Sequence, residues 1–82
     1  MLIDLIEIKC FGVAKEIVDG EILKLNRPNL SVEELRKQLL HDYPEFSAIK
    51  GFMVAVNQEY ATDDMTIDSS DEVAIIPPVS GG

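Results

Sequence analysis

The stretch Ile76-Pro77-Pro78-Val79-Ser80-Gly81-Gly82 presents the group with the clearest chemical use, the α-carboxylate of Gly82. Two prolines lack the amide hydrogens that a strand ladder needs, so the sheet must stop there and the chain must leave it extended. The four residues after Pro78 then reach at most about 13–14 Å. Gly81 and Gly82 have no Cβ, so this tip can enter a channel too narrow for other residues. Average glycine usage would place Gly-Gly at a terminus by chance in about 0.5% of chains. A rigid exit followed by a side-chain-free tip therefore argues against an inert frayed end, which is what most termini are.

An α-carboxylate with a pKa near about 3.5 is ionised at neutral pH and is a poor electrophile. It reacts once converted to a mixed anhydride, for which adenylation by ATP is the common route. A sulfur nucleophile then leaves a thiocarboxylate, and a lysine amine leaves an isopeptide. Either outcome needs an activating enzyme in trans, because the chain has neither a P-loop nor a G-x-G-x-x-G pattern. No cofactor is expected on this chain; ATP is used by the activating partner.

Other reactive side chains are weaker candidates. Cys10 could carry a persulfide, but it falls mid-strand on the inward face, where a free cysteine acts as a small hydrophobe. His41 stands alone near a helix C-terminus, without a second ligand for a metal. The Asp63-Asp64 and Asp68/Asp71 groups lack the spacing of a calcium loop and read as solvated turns. No metal site is expected.

These residues need a scaffold. Ile6-Glu7-Ile8-Lys9-Cys10-Phe11 alternates, predicting a strand with Ile6, Ile8 and Cys10 on one face and Glu7, Lys9 and Phe11 on the other. Gly12 ends it, Val13 to Val18 allow a helical turn, and Asp19-Gly20 is a turn signal. Glu21 to Leu25 alternates again and should return antiparallel. Asn26 to Leu30, with Pro28, reads as a loop. Ser31-Val32-Glu33-Glu34 is a capping box opening a helix. Its buried stripe is Val32, Leu35, Leu39 and Tyr43, with Glu33, Arg36 and Lys37 towards solvent, and Pro44 stops it. Phe52 to Asn57 reads as an interior strand and Asn57-Gln58-Glu59 as a turn. Tyr60-Ala61 adds a short edge piece. Polar loops surround Met65 and Ile67, and Glu72 to Ile76 form the last strand.

Two strands, a helix and further strands must bury one sheet face under the helix. A right-handed crossover then sets the last strand beside the first. That is an α+β arrangement, the β-grasp or ubiquitin-like mixed sheet packed on one main helix, with an extended Gly-Gly tail. One domain over residues 1–76 and a tail over 77–82 follow. If Val73 and Ile75 face the helix, Ala74 and Ile76 point outward on the same side as Phe11, with Tyr60 on a neighbouring strand end. Such apolar residues at the tail's root suit a docking patch, although they could simply cover the rim of the sheet.

Composition narrows the partners. The 82 residues include 15 acidic and 7 basic ones, giving a net charge of −8. Phosphate-backbone binding rests on clustered Lys and Arg, so nucleic acid is a poor partner. An acidic surface steers towards basic protein surfaces or serves solubility alone. One cysteine fits a reducing compartment. No apolar run approaches the roughly 20 residues that span a bilayer. Met1-Leu2-Ile3-Asp4 has no basic region ahead of an apolar stretch, as a secretory signal would. A cytoplasmic protein without a membrane partner is expected.

Three segments carry a resemblance. Phe11 to Val18 (FGVAKEIV), Ala55-Val56-Asn57-Gln58 and Asp71 to Gly82 (DEVAIIPPVSGG) resemble the small subunit of molybdopterin synthase, a ubiquitin-like sulfur carrier. The likeness runs from about Ile6 to the end; its last twelve residues are the most specific, and the central helix matches mainly in pattern. Ser80 stands where threonine is also common in that family. The resemblance implies that a partner adenylates Gly82 and a sulfur donor converts it to a thiocarboxylate. The tail, Pro77, Pro78, Val79 and Ser80 with Gly81, then enters the large synthase subunit and gives sulfur to a cyclic pyranopterin phosphate. Phe11, Tyr60 and Ile76 would contact partners. A heterotetramer with the large subunit is implied, with this chain noncatalytic. A carrier for thiazole or another metabolite, an isopeptide-forming modifier and an inert interaction module remain as alternatives.

Overall fold

A computed structural model describes residues 5–49 and 51–77. In chain order the elements are β1 (Leu5–Cys10), α1 (Val13–Val18), β2 (Ile22–Asn26), β3 (Asn29–Ser31) and α2 (Val32–Asp42). A 3-10 turn (Pro44–Ala48) follows, then β4 (Met53–Val56), β5 (Glu59–Tyr60), β6 (Thr66–Asp68) and β7 (Val73–Ile76).

The main sheet has the order β2-β1-β7-β4-β5. β1 and β2 are antiparallel, pairing Ile6 with Leu25 and Ile8 with Leu23. β7 lies parallel to β1, with Ile8 opposite Val73 and Cys10 opposite Ile75, and antiparallel to β4. Strand alternation then sends Ile6, Ile8, Cys10, Val54, Val56, Val73 and Ile75 to one face, where all are buried. α2 covers that face with Val32, Leu35 and Leu39, which have no exposed surface. The expected β-grasp architecture, with the last strand beside the first, is the one found.

The helix begins where its sequence says. Ser31 Oγ accepts from the Glu34 amide at 3.1 Å, and Glu34 Oε1 accepts from the Ser31 amide at 2.8 Å. Two further N-terminal amides donate to backbone carbonyls: Val32 to Met65 at 2.8 Å and Glu33 to Asp63 at 3.0 Å. Thus the segment before β6 completes the cap of α2.

Several expectations need correction. Asn26 to Leu30 is not all loop, because Asn29–Ser31 pairs antiparallel with Thr66–Asp68 as a second, two-stranded sheet. Its centre is Leu30 opposite Ile67, both buried. Ile67 is therefore core rather than an island in a polar loop. Arg36 does not face solvent freely. Its guanidinium lies 4.7 Å from the Phe52 ring centroid, donates to the Phe52 carbonyl at 2.9 Å and meets Asp63 at 3.2 Å. Phe52 precedes β4 instead of opening it, and packs 5.5 Å from Phe46 of the 3-10 turn. Phe11 lies one residue past β1.

Candidate functional site

The outward face of the sheet is shaped by register. Lys9 of β1 stands opposite Ala74 of β7, Ala74 opposite Ala55 of β4, and Ala55 opposite Tyr60 of β5. Two alanines thus sit side by side between a lysine and a tyrosine, and their missing bulk leaves a trough. It is a shallow depression of about 350 Å³, closed towards the tail by Phe11 and Ile76 and at the other end by Gln58 and Glu72. In the adjacent row Met53 pairs with Ile76. Ile22, opposite Lys9, extends the same face.

Apolar exposure concentrates here. Tyr60 is 66% and Phe11 51% exposed, and Met53 and Ile22 are also largely open to solvent. Large apolar side chains grouped in this way mark a surface that gains by being covered. The structure brings together Phe11, Tyr60 and Ile76, with Ala55, Met53, Lys9, Gln58 and Glu72 joining them. Those additional residues come from cross-strand alignment, which no single segment displays; the Ala55-Val56-Asn57-Gln58 motif was the available signal.

The polar end of the trough is held firmly. Lys9 Nζ contacts Glu72 Oε2 at 2.9 Å. Both side chains are half exposed, so the pair adds little stability but fixes two charges in place. The hydrogen bond and charge of Lys9, with a smaller contribution from the Gln58 amide, hold the Glu72 carboxyl below its ordinary range. Asn57 ties the β4–β5 turn to the start of β7. Its Oδ1 accepts from the Glu72 amide at 2.9 Å, its Nδ2 donates to Asp71 Oδ1 at 3.0 Å, and its own amide donates to the Glu72 carbonyl at 2.7 Å.

At the opposite end, β7 runs into Pro77 beside the β1–α1 junction. Gly12 there has φ 57° and ψ −131°, a backbone state that suits glycine. A Cβ on Gly12 would come within 3.3 Å of Pro77 Cγ. The half-buried Pro77 therefore rests closely on Gly12 at the point where the chain leaves the sheet. Pro78, Val79, Ser80, Gly81 and Gly82 lie outside the described residues.

The remaining candidates are placed as follows. Cys10 is 2% exposed, and burial pushes its thiol above the ordinary range, which disfavours the thiolate. His41 is exposed, with Nδ1 3.0 Å from Asp42 Oδ1. Among the described residues no group of three or more His, Cys, Asp or Glu side chains is arranged to hold a metal ion. No helix among them is long and apolar enough to cross a membrane.

Comparison with known proteins now adds to this geometry. The profile of the ThiS family matches residues 8–82. The chain belongs to the ThiS family. The match begins inside β1 and takes in the Gly-Gly tail, so it spans both the sheet and the residues beyond the described structure. The chain is 40% identical to the molybdopterin synthase sulfur carrier subunit of Dictyostelium discoideum, covering 93% of this chain and 94% of that one. The crystal structure of SAMP1 from Haloferax volcanii superposes with a TM-score of 0.76 at 25% identity, covering 95% of this chain and 99% of that one. A similar fold is found in a complex of subunits 1 and 2 of molybdopterin-converting factor from Helicobacter pylori. There the TM-score is 0.65 at 20% identity, with 95% of this chain and 99% of that one covered.

Proposed function

We propose that this chain is the sulfur carrier subunit of a molybdopterin synthase, with the Gly82 carboxylate as the group that is loaded and discharged. The observation that carries this reading is the near full-length likeness to the Dictyostelium discoideum carrier subunit. The trough and its exposed apolar rim add to it, because they supply a docking face at the root of the tail.

In the proposed cycle an adenylating enzyme joins Gly82 to AMP and releases pyrophosphate. A persulfide on a donor enzyme attacks the activated acyl carbon and expels AMP, and a thiol then cleaves the resulting acyl disulfide, releasing the thiocarboxylate and leaving a disulfide on the donor side. The tail then enters the large synthase subunit, and its sulfur passes to a cyclic pyranopterin phosphate to build the dithiolene. The chain itself is noncatalytic: it presents the acyl end, and its partners supply ATP, sulfur and the pterin site. A dithiolene takes two sulfurs, so the carrier must bind, discharge and leave. A shallow face suits that duty better than a deep interlocking one. The reaction belongs in the cytoplasm.

A second reading has its own support, since SAMP1 is a small archaeal modifier protein. In that case the activated Gly82 would pass to a lysine amine. Intact-mass measurement after incubation with the activating enzyme, ATP and a sulfur source decides between them. Exchange of one oxygen for sulfur, followed by loss of that sulfur to the pterin precursor, is the expected result. Lysine conjugates would favour the modifier, and an unchanged mass would refute both.

A further inference from the structure

The ladder between β1 and β7 ends at Cys10 opposite Ile75, and that between β4 and β7 at Met53 opposite Ile76. Counting on in step, Phe11 falls beside Ile76 and Gly12 beside Pro77. Pro77 has no amide hydrogen to extend a ladder, so packing must hold the chain where it leaves the sheet. Gly12 supplies that packing: a Cβ built on it would lie 3.3 Å from Pro77 Cγ, closer than a Cβ ordinarily sits to a neighbour. A side chain at this position would therefore push the proline ring away. The seat itself is fixed. The Gly12 carbonyl accepts from the Lys15 amide and the Phe11 carbonyl from the Ala14 amide, both at 3.1 Å, and Ala14 is fully buried. The first turn of α1 thus anchors the backbone on which Pro77 rests.

Ile76 and Pro77 each precede a proline, which disfavours helical backbone at both, and the ring fixes φ of Pro77 itself. With rotation so restricted, the orientation of the Pro77 ring sets the direction in which the chain starts towards Gly82. The same junction closes the trough through Phe11 and Ile76, so the docking face and the exit share one frame. Resting on the proposed carrier function, we infer that Gly12 is a positioning residue for sulfur transfer: it seats Pro77 and thereby aims the tail relative to the docking face. Gly12 touches none of the reacting atoms, and its effect runs through Pro77. Glycine serves here for two reasons, the close approach of the ring and a backbone at φ 57°.

Whether Gly12 acts through Pro77 is decided by a double-mutant cycle. Wild type, Gly12→Ala, Pro77→Ala and the double variant receive a Gly82 thiocarboxylate by sulfide cleavage of intein fusions, so that no activating enzyme is involved. Single-turnover sulfur transfer to cyclic pyranopterin phosphate is then followed with the large subunit in saturating excess. The temperature is one at which circular dichroism shows each protein folded. Gly12→Ala should lower Tm by at least roughly 4–8 °C in either background, because alanine is poorly tolerated at that φ. Gly12→Ala and Pro77→Ala should each slow transfer about tenfold. The double variant should be no slower than Pro77→Ala, since the added Cβ then has no ring to displace, although its loss of Tm persists. Single effects that multiply in the double variant overturn the assignment, and so does a folded Gly12→Ala protein with wild-type transfer. A Pro77→Ala protein with wild-type transfer overturns it even if Gly12→Ala does not fold. Wild-type thiocarboxylate that transfers no sulfur overturns the carrier reading and this assignment together. Normal wild-type transfer with unaffected variants overturns the assignment alone.

Discussion

Asn57 carries more of the architecture than its place in a two-residue turn suggests. Its side chain holds the chain just before β7, and so sets the register that makes Ala74 the neighbour of Ala55. Asn57→Ala removes two hydrogen bonds and leaves a poorer left-handed residue, and should cost about 1–3 kcal/mol in urea unfolding. An unchanged midpoint would remove Asn57 from that role. Carboxylates act at the same scale. Glu34 is held below its ordinary value of 4.5 by the Ser31 amide, Glu72 by Lys9, and Asp68 below 3.8 by the Ser70 hydroxyl. A depressed folded pKa contributes stability above the unfolded value and loses it as pH falls through the folded one. Unfolding midpoints should therefore be level above pH 4.5 and decline progressively below it. A midpoint that stays constant down to the folded pKa values would contradict these contacts.

Among the elements, the short β3–β6 pair tests how far local pattern reaches. Leu30 and Ile67 meet at its centre, and Ile67→Ala should cost about 2–5 kcal/mol, read as a lowered unfolding midpoint. This pair was illegible in the sequence because a three-residue strand shows one inward side chain and hence no period. The 3-10 turn hid for a similar reason: Phe46 is its single buried residue, and Pro44 signalled only a helix stop. Arg36 was misread because a charged side chain at a helix surface gives no hint of an aromatic ring arriving from Phe52. By contrast β1, β7 and α2 were plain, since Ile6-Ile8-Cys10, Val73-Ile75 and Val32-Leu35-Leu39 each repeat with the period of their element. The candidate face was half legible. Alternation placed Phe11 and Ile76 outward, whereas the paired alanines exist only once three strands are aligned. Phe11→Asp should leave Tm within a few degrees, Phe11 being 51% exposed, and weaken large-subunit binding more than about tenfold. Unchanged affinity for both the large subunit and the activating enzyme would discard the patch.

For the molecule as a whole, the proposed chemistry and the fold separate along the chain. The core ends at Ile75 and the last strand at Ile76, six residues before Gly82. Deleting Gly82 should abolish sulfur transfer while leaving circular dichroism and Tm unchanged, and a fully active deletion protein would refute the carrier mechanism. The net charge of −8 acts over the same scale, by favouring encounters with basic protein surfaces.

β7 comes after every other described strand in the chain, yet it lies inside the sheet, between β1 and β4. Until it arrives, β1 and β4 have an open slot between them, and the inner faces of Ile8 and Val54 have no Val73 or Ile75 to pack beside. The native sheet therefore closes after synthesis has passed Ile76, and a nascent chain broken off earlier stays unfolded and open to proteolysis. A chain broken off before β7 also lacks the outward face that Ala74 and Ile76 complete.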